Sequence, residues 1–490
     1  MAGAVKLEKM GKPGVFIPCD TFAEAAKSAS VDNAMPAMRH RTISAAEFYR
    51  VRGSVKEVTP LAERLIDGLI DALTRPLEPT EIGRPRGKKE GEQTASITIS
   101  GESYPSALEE FNQVFLNDLW GDGLPLVPPT PERVKWMLSG TSLPPSKVIG
   151  KVLPKQGIAT VEKIAINAVM AGAKPEYLPV IIAAMEAFTD DNYDQRHVLL
   201  SAGSFGLIIV VSGPIAKEIG MESGVGFLGH GWRANNTIGR AVRLATINIG
   251  HTWPGLNDMG LTGRVNPHTF FTFAENAELS PWEPYHVTQG YKAGDSCVTV
   301  ASIHGGKDRF GGSIMTWTAK SILNAIVANV LGVGRGALKN WGNKGVGEIH
   351  GSGGAGTRHL IVLFPAVAAE LKKLGYHDQA SLQDEICRLA AVRYEELGPA
   401  DIESIQTAMG MGYEHVIPPD RRSVYKDALQ PGGMVPVQSS PRDMPVFVAG
   451  GAPGDAFGFN YMKLSPYKPT AIMTKRITRA TLTKAGEVDD

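Results

Sequence analysis

Short apolar runs alternate along the chain with longer segments of helical periodicity. Four runs are rich in Val and Ile and end in Gly, Pro or His: residues 206–214, 296–306, 359–365 and 445–454. Runs of this length between helical segments are typical of buried strands in an α/β sheet. The pattern therefore predicts an α/β fold with a mixed or parallel sheet core and covering helices.

The covering helices are predicted from apolar residues that recur every three or four positions. They fall at 106–119, 131–138, 160–171, 177–188, 237–249, 318–331 and 365–374. The segments 160–171 and 177–188 are apolar on nearly every side, so we expect them in the interior or at a subunit interface.

Composition divides the chain into four parts. Residues 1–78 read as a small α/β segment, with a strand at 14–19 and a helix at 59–73. Residues 79–96 are rich in Pro, Gly and charge and indicate a linker. We expect the main catalytic body at 97–475, in one or two subdomains, and a polar tail at 476–490.

The overall charge excludes some classes of partner. The 490 residues contain 50 basic and 50 acidic side chains, so no basic face for nucleic acid or anionic membrane is implied.

Three scattered cysteines make no disulfide framework. The first residues lack the apolar region of a signal peptide. We therefore expect a cytoplasmic protein.

The stretch 224–251 combines a glycine-rich loop with a helix start. A helix start favours anions, glycines allow close backbone approach, and Arg binds carboxylate or phosphate. We expect a binding site for a small anionic compound here, although an ordinary N-cap at Asn235 or Asn236 would also fit. The substrate-binding candidates are Trp232, Arg233, Asn235, Asn236 and Arg240.

Ligands of α/β sheets bind at the carboxyl ends of strands. The residues expected at such ends are Ser212, Gly213, His304, Gly305, Gly306, Gly450 and Gly451. We expect His230 or His304 to move a proton, and Asp295 to border the same pocket and assist. Cys297 is either a nucleophile or a small buried strand residue.

Two further stretches carry polar groups. The glycine-rich loop 342–359 contains His350 and Ser352, which become substrate-binding candidates if this loop covers the site. Its residue order differs from nucleotide-binding loops, so a nucleotide is not expected. The stretch 271–286, with Glu275 and His286, fits a pocket lining as well as a rigid surface segment.

Four segments carry a resemblance to a known family: 120–130 (WGDGLPLVPPT), 160–184, 212–243 and 271–287. They resemble bacterial proteins that accompany small proteins named for a Cys/Sec-Gly-Ser-Cys (UGSC-type) motif. Residues 10–75 resemble the C-terminal half of those small proteins, but the motif itself does not occur in this chain. The small proteins are distantly similar to the selenoprotein subunits of glycine and proline reductases. The resemblance implies that a catalytic thiol or selenol would come from another polypeptide.

These observations favour an enzyme that cleaves or forms a C–X bond in a small anionic organic substrate, as a lyase, hydrolase or reductase component. One alternative is a noncatalytic scaffold for a small thiol or selenol partner. Another is a metal-dependent hydrolase that uses loop histidines. The cofactor stays open, with a metal possible and a nucleotide not expected. The partners expected are a small anion and either further copies of this chain or a small motif-bearing subunit.

Overall fold

The computed structural model describes most of the chain. The described ranges are 2–20, 37–48, 55–78, 96–201, 203–260, 262–313, 318–338, 359–410, 419–438, 440–451, 456–464 and 472–478, with single residues between 23 and 35 and at 417. Most of the expected linker (79–95), most of the expected tail (479–490), and the candidates His350 and Ser352 lie outside the described residues.

The elements confirm an α/β fold. The helices are α1 Ala2–Lys9, α2 Ala45–Phe48, α3 Val55–Thr74, α4 Tyr104–Asn117, α5 Pro131–Leu138, α6 Val161–Met170, α7 Leu178–Phe188, α8 Gln195–Leu200, α9 Ile215–Glu218, α10 Arg233–Asn248, α11 Tyr285–Thr288, α12 Ala319–Leu338, α13 Pro365–Lys373, α14 Gln379–Leu389, α15 Pro399–Gly410 and α16 Arg422–Ala428. The strands are β1 Val148–Val152, β2 Gly157–Thr160, β3 Gly206–Ser212, β4 Phe271–Ala274, β5 Cys297–Ser313, β6 His359–Leu363, β7 Ala391–Arg393, β8 Met434–Pro436, β9 Val446–Val448, β10 Ala456–Leu464 and β11 Ile472–Arg476.

Helix starts follow local capping rules. Thr130 accepts a hydrogen bond from the Arg133 amide at the start of α5, and Thr160 accepts one from Lys163 at the start of α6. These contacts satisfy amide groups that the first turn of a helix leaves unpaired. Both helices begin within one residue of where the sequence predicts.

The main sheet is mixed. Its strand order is β4-β3-β5-β10-β6-β9, and β11 pairs with the first half of β5. The pairs β3–β4 and β6–β9 are parallel, and the other pairs are antiparallel. Two small antiparallel sheets, β1–β2 and β7–β8, lie beside it.

Alternate residues of the strands enter different cores. Along β3, Leu207 and Ile209 join a core with α6, α7 and α10, whereas Ile208 joins an inner core. Along β6, Ile361 joins a third core with helices of the C-terminal half, whereas Leu360 joins the same inner core. Because strands near both ends of the order share one inner core, the sheet curls around it.

The two edge strands meet where the curled sheet closes. The Asn276 amide, two residues after β4, donates to the Val448 carbonyl at the end of β9, at 2.8 Å. The Phe447 ring lies 6.3 Å from the Phe273 ring and 4.7 Å from the Tyr285 ring. Aromatic packing and a backbone hydrogen bond therefore hold the edges together.

The N-terminal segment is built around α3. The strand expected at 14–19 is observed only as two isolated bridges, Phe16 with His40 and Cys19 with Ile43. The prediction of a regular strand is therefore wrong, because continuous pairing does not extend between these two positions. Arg39 and Arg41 tie the segment to α3, since they donate to carbonyls at its C-terminal half.

The closure of the sheet predicts a large cost for truncating Phe447. Phe447→Ala should lower the free energy of unfolding by about 3–5 kcal/mol, because it leaves a cavity beside Phe273 and Tyr285. Urea denaturation would measure this loss. The control Leu256→Ala alters a side chain that is 61% exposed and should change stability by no more than about 0.5 kcal/mol. An equal effect of both substitutions would contradict the closed inner core.

Candidate functional site

The carboxyl ends of β3 and β4 lie side by side and present Ser212 and Glu275. The Glu275 amide donates to the Val211 carbonyl at 2.9 Å, which continues the pairing of the two parallel strands. Glu275 directly precedes Asn276, so this site borders the line where the sheet closes. Such strand ends are the usual ligand sites of α/β sheets.

Glu275 is a buried carboxyl group without a cationic partner among the contacts described for it. The Ser212 hydroxyl donates to Glu275 Oε2 at 2.7 Å, and the Tyr285 amide donates to Oε1 and Oε2 at 3.0 and 3.1 Å. Burial raises the pKa of Glu275 to about 7, although these hydrogen bonds act in the opposite direction. Near neutral pH this group can therefore both donate and accept a proton.

His286 lies next to Tyr285 in the chain and is also buried. Its Nε2 contacts the Lys292 carbonyl at 3.1 Å, so this nitrogen carries the proton in the neutral ring. Its Nδ1 is buried and has no hydrogen-bond partner within the described part of the chain. Burial lowers the pKa of His286, so the ring is neutral near pH 7. One neighbourhood thus contains a carboxyl group with a raised pKa and an imidazole with a lowered one, which makes it a candidate for acid/base chemistry.

Asp295 and Cys297 lie at the same end of the sheet. Gly213 has φ +93°, and a Cβ there would lie 2.2 Å from the Asp295 carbonyl oxygen, so only glycine allows this approach. Asp295 accepts from the Lys292 amide at 3.0 Å and pairs with Arg476 at 3.0 Å. Burial, followed by the Asp295 charge, raises the pKa of Cys297 to about 11. The Cys297 thiol is thus protonated at neutral pH, which favours the small buried strand residue over the nucleophile.

The asparagines of the glycine-rich loop hold its shape. Asn235 Oδ1 accepts from the Glu222 amide at 3.0 Å, while Nδ2 donates to the carbonyls of Glu222 and Phe227. Asn236 donates to the carbonyls of Gly229 and Trp232. Both polar atoms of Asn235 and the Nδ2 of Asn236 are therefore engaged in contacts that fix the backbone of this loop.

The two candidate arginines are bound to other parts of the chain. Arg233 donates through Nε and Nη2 to the Gly172 carbonyl, at 3.2 and 3.0 Å. Arg240 forms a two-point ion pair with Asp122, at 2.8 and 3.0 Å, and the Asp122 side chain is 1% exposed. Helix α10 begins at Arg233 rather than at position 237, so Arg240 lies beyond its first turn. In this structure their guanidinium groups fasten α10 to neighbouring segments.

His230 and Trp232 remain at the surface beside the start of α10. His230 is exposed, and Trp232 is 38% exposed with its Nε1 donating to the Gly226 carbonyl. The same loop reaches the end of β9, because the Gly450 amide donates to the Ser223 carbonyl at 2.7 Å. Phe227 also packs against Gly450. The glycine-rich loop and the end of β9 therefore adjoin the end of the sheet that carries Glu275.

His304 lies near the start of β3, at the end of that strand away from Ser212. The expectation that it ends its strand is wrong, because β5 continues to Ser313. Pairing places Cys297 opposite Ser212 and Ile303 opposite Gly206, so His304 and Asp295 lie near opposite ends of β3, roughly 20 Å apart along the strand. The expected common pocket of His304 and Asp295 is therefore wrong. The end of a strand depends on its pairing partners. Because β10 pairs with β5 as far as Ser313, β5 continues past the apolar run at 296–306.

His304 instead neighbours a histidine that the sequence pattern did not single out. Its ring stacks on Phe205 at 4.5 Å, and Phe205 also contacts His197 at 6.1 Å. Asp194 contacts His197 Nδ1 and caps the start of α8. A three-residue spacing at a helix start could have indicated this pair, but it is too common to identify a site.

The described residues contain no group of three or more His, Cys, Asp or Glu that could hold a metal ion. In that same part of the chain, no helix is long and apolar enough to cross a membrane. A scan of protein-family models finds no match for this chain, and no curated protein matches it.

The raised pKa of Glu275 predicts a pH dependence of stability. The folded state binds this proton up to about pH 7, whereas the unfolded chain releases it near 4.5. Stability should therefore fall between pH 4.5 and 7, by about 3 kcal/mol in total from this group. Glu275→Gln should remove this slope, as measured by urea denaturation at several pH values. Glu278→Gln, an exposed position three residues away, should keep it, and an unchanged slope in Glu275→Gln would refute the assignment.

The Arg240–Asp122 pair predicts a structural loss. Arg240→Ala should destabilise the protein by about 3–5 kcal/mol, because it leaves the buried Asp122 carboxylate without its partner. Arg233→Ala removes an exposed contact to one carbonyl and should cost about 1 kcal/mol. Thermal melting without any ligand would compare them. Equal melting temperatures would show that Arg240 does not have this anchoring role.

Proposed function

We propose that this chain is an enzyme that moves a proton on a small anionic organic substrate through Glu275, during cleavage or formation of a bond between carbon and a heteroatom. The observation that carries the proposal is the buried Ser212–Glu275 pair, in which a carboxyl group has a pKa of about 7 at the carboxyl end of a strand. Groups with perturbed pKa at such positions are typical of acid/base catalysis.

The hydrogen bond between Ser212 and Glu275 offers a route for the proton. When Glu275 is ionised, Ser212 Oγ can take a proton from a substrate carbon as its own proton passes to Glu275 Oε2. The neutral Glu275 then returns a proton through Ser212 to the leaving heteroatom. Burial keeps the pKa of Glu275 near 7. Because both Ser212 and Glu275 are buried, contact with substrate requires the surrounding segments to open slightly.

The preference for an anion rests on the neighbouring loop. Helix α10 is 16 residues long, and its first amide groups and partial positive charge favour a negative ligand. His230 and Trp232 are exposed beside this helix start. We assign the anion to this region, whereas Arg240 serves the fold. His286 is the candidate for the second acid/base group.

A reductive reaction would need a further component. The resemblance to the UGSC-associated family implies a thiol or selenol from another polypeptide. Cys297 does not fit that role in its observed state, because its thiol is buried and its pKa is raised to about 11. This chain therefore supplies the proton transfer, and any electron donor belongs to a partner.

A two-stage experiment would test the proposal. A panel of small amino, hydroxy and dicarboxylic acids would first be screened for an increase in melting temperature. Binding compounds would then be incubated in D2O and followed by NMR for exchange of a carbon-bound proton and for product. We expect the wild type to catalyse exchange with a midpoint near pH 7.

Variants identify the catalytic group in this assay. Glu275→Gln should retain the ligand-induced rise in melting temperature but lose exchange by about 100-fold or more. Glu278→Gln should match the wild type in both measurements. Full exchange activity in Glu275→Gln would show that another group moves the proton.

A further inference from the structure

Helix α3 carries an exposed apolar stripe. Ile66 and Ile70 are each 54% exposed, Leu73 is 39% exposed, and Leu77, just beyond the helix, is 47% exposed. Spacings of four and three residues place Ile66, Ile70 and Leu73 on one helix face. The four side chains expose on the order of 400 Å², a patch size that often marks an interaction surface.

The face of α3 on one side of the stripe is already occupied. Ala72 is buried, and Leu65 and Leu69 are half-buried. Arg39 donates to the Ala72 and Arg75 carbonyls at 3.0 and 2.6 Å. Arg41 donates to the Gly68 carbonyl at 3.0 Å. The segment thus holds α3 from one side and leaves the stripe facing outward.

Charge along the stripe limits what can cover it. Glu63, Asp67 and Asp71 follow each other at four-residue intervals along one border, and all three are exposed. Asp71 is paired with Arg41 and Arg75, whereas Glu63 and Asp67 add negative charge. The other border is the face that packs on the segment itself. A partner helix therefore meets a carboxylate row on one side only.

Two arrangements that involve only this chain fit poorly. A second α3 packed antiparallel would place its own carboxylate row against this one, and like charges side by side are unfavourable. The open groove of about 660 Å³ beside α4, lined by Ile97 and Trp120, carries Glu102, Glu110 and Asp118. These acidic side chains would repel the carboxylate row of α3.

We propose that the stripe of Ile66, Ile70, Leu73 and Leu77 docks an amphipathic helix of another polypeptide, whose apolar face is bordered by Lys or Arg. The apolar residues supply the binding energy, and the Glu63–Asp67 border selects the basic partner and its orientation. This surface is separate from the residues assigned to proton transfer.

Peptide binding to the full chain tests the proposal. The probe is a fluorescent synthetic helix with leucines at heptad a and d positions and lysines along one border, compared with the same helix carrying glutamates. Anisotropy at low salt should show tighter binding of the lysine helix. Ile66→Gln with Ile70→Gln should weaken it by at least about tenfold, because two apolar contacts are lost. Leu256→Gln, at another exposed leucine, should leave binding unchanged.

Charge reversal and mass complete the test. Glu63→Lys with Asp67→Lys should reverse the preference, so that the glutamate helix binds more tightly. Equal binding of both helices, or binding that ignores the Ile66 and Ile70 substitutions, would overturn the proposal. Light scattering should give the wild type and the Ile66→Gln, Ile70→Gln variant the same mass. A wild-type dimer that becomes a monomer in this variant would instead identify a second copy as the occupant.

Discussion

The inner core of the curled sheet depends on one alternation. Each central strand sends every second side chain to a helical layer and the intervening ones inward, as Leu207 and Ile208 of β3 illustrate. Side chains of β3, β5, β6 and β9 all fill the same interior. The sheet therefore curls until its edge strands β4 and β9 meet, where the Asn276 amide donates to the Val448 carbonyl. Apolar burial drives this closure, and the backbone hydrogen bond between the edges fixes its position.

The closure also accounts for the burial of Glu275. Glu275 directly follows β4 and is buried together with Phe273 and Tyr285. Removal of water raises its pKa, and the Ser212 and Tyr285 hydrogen bonds keep it from rising further. A carboxyl group that would be ionised at the surface is thereby placed at the midpoint of its titration near pH 7.

Charged side chains near the site serve two different purposes. Arg240 and Asp122 neutralise each other in a buried pair that fastens α10 to the segment before α5. Asn235 similarly fixes the backbone of the glycine-rich loop from within. Away from the site, Glu63 and Asp67 of α3 are exposed to solvent and contribute little to the fold. Burial separates these two groups, because a buried charge must be paired, whereas an exposed charge is stabilised by water.

Local sequence signals determined the α/β class and many element positions. Helix starts at Thr130 and Thr160 follow from capping and apolar spacing, and the runs at 206–214 and 359–365 form β3 and β6 because their residues suit buried strands. The sequence did not indicate β11, or that β10 prolongs β5 past His304, because strand ends depend on distant partners.

The site residues divide along the same line. Sequence patterning placed Glu275 and His286 in a polar cluster and singled out Arg233, Arg240 and Cys297 by residue type. Only the tertiary structure joined Ser212 to Glu275 across 63 positions and Arg240 to Asp122 across 118. Residue type specifies which interactions a side chain can make, whereas burial and neighbours decide its partner and its protonation state.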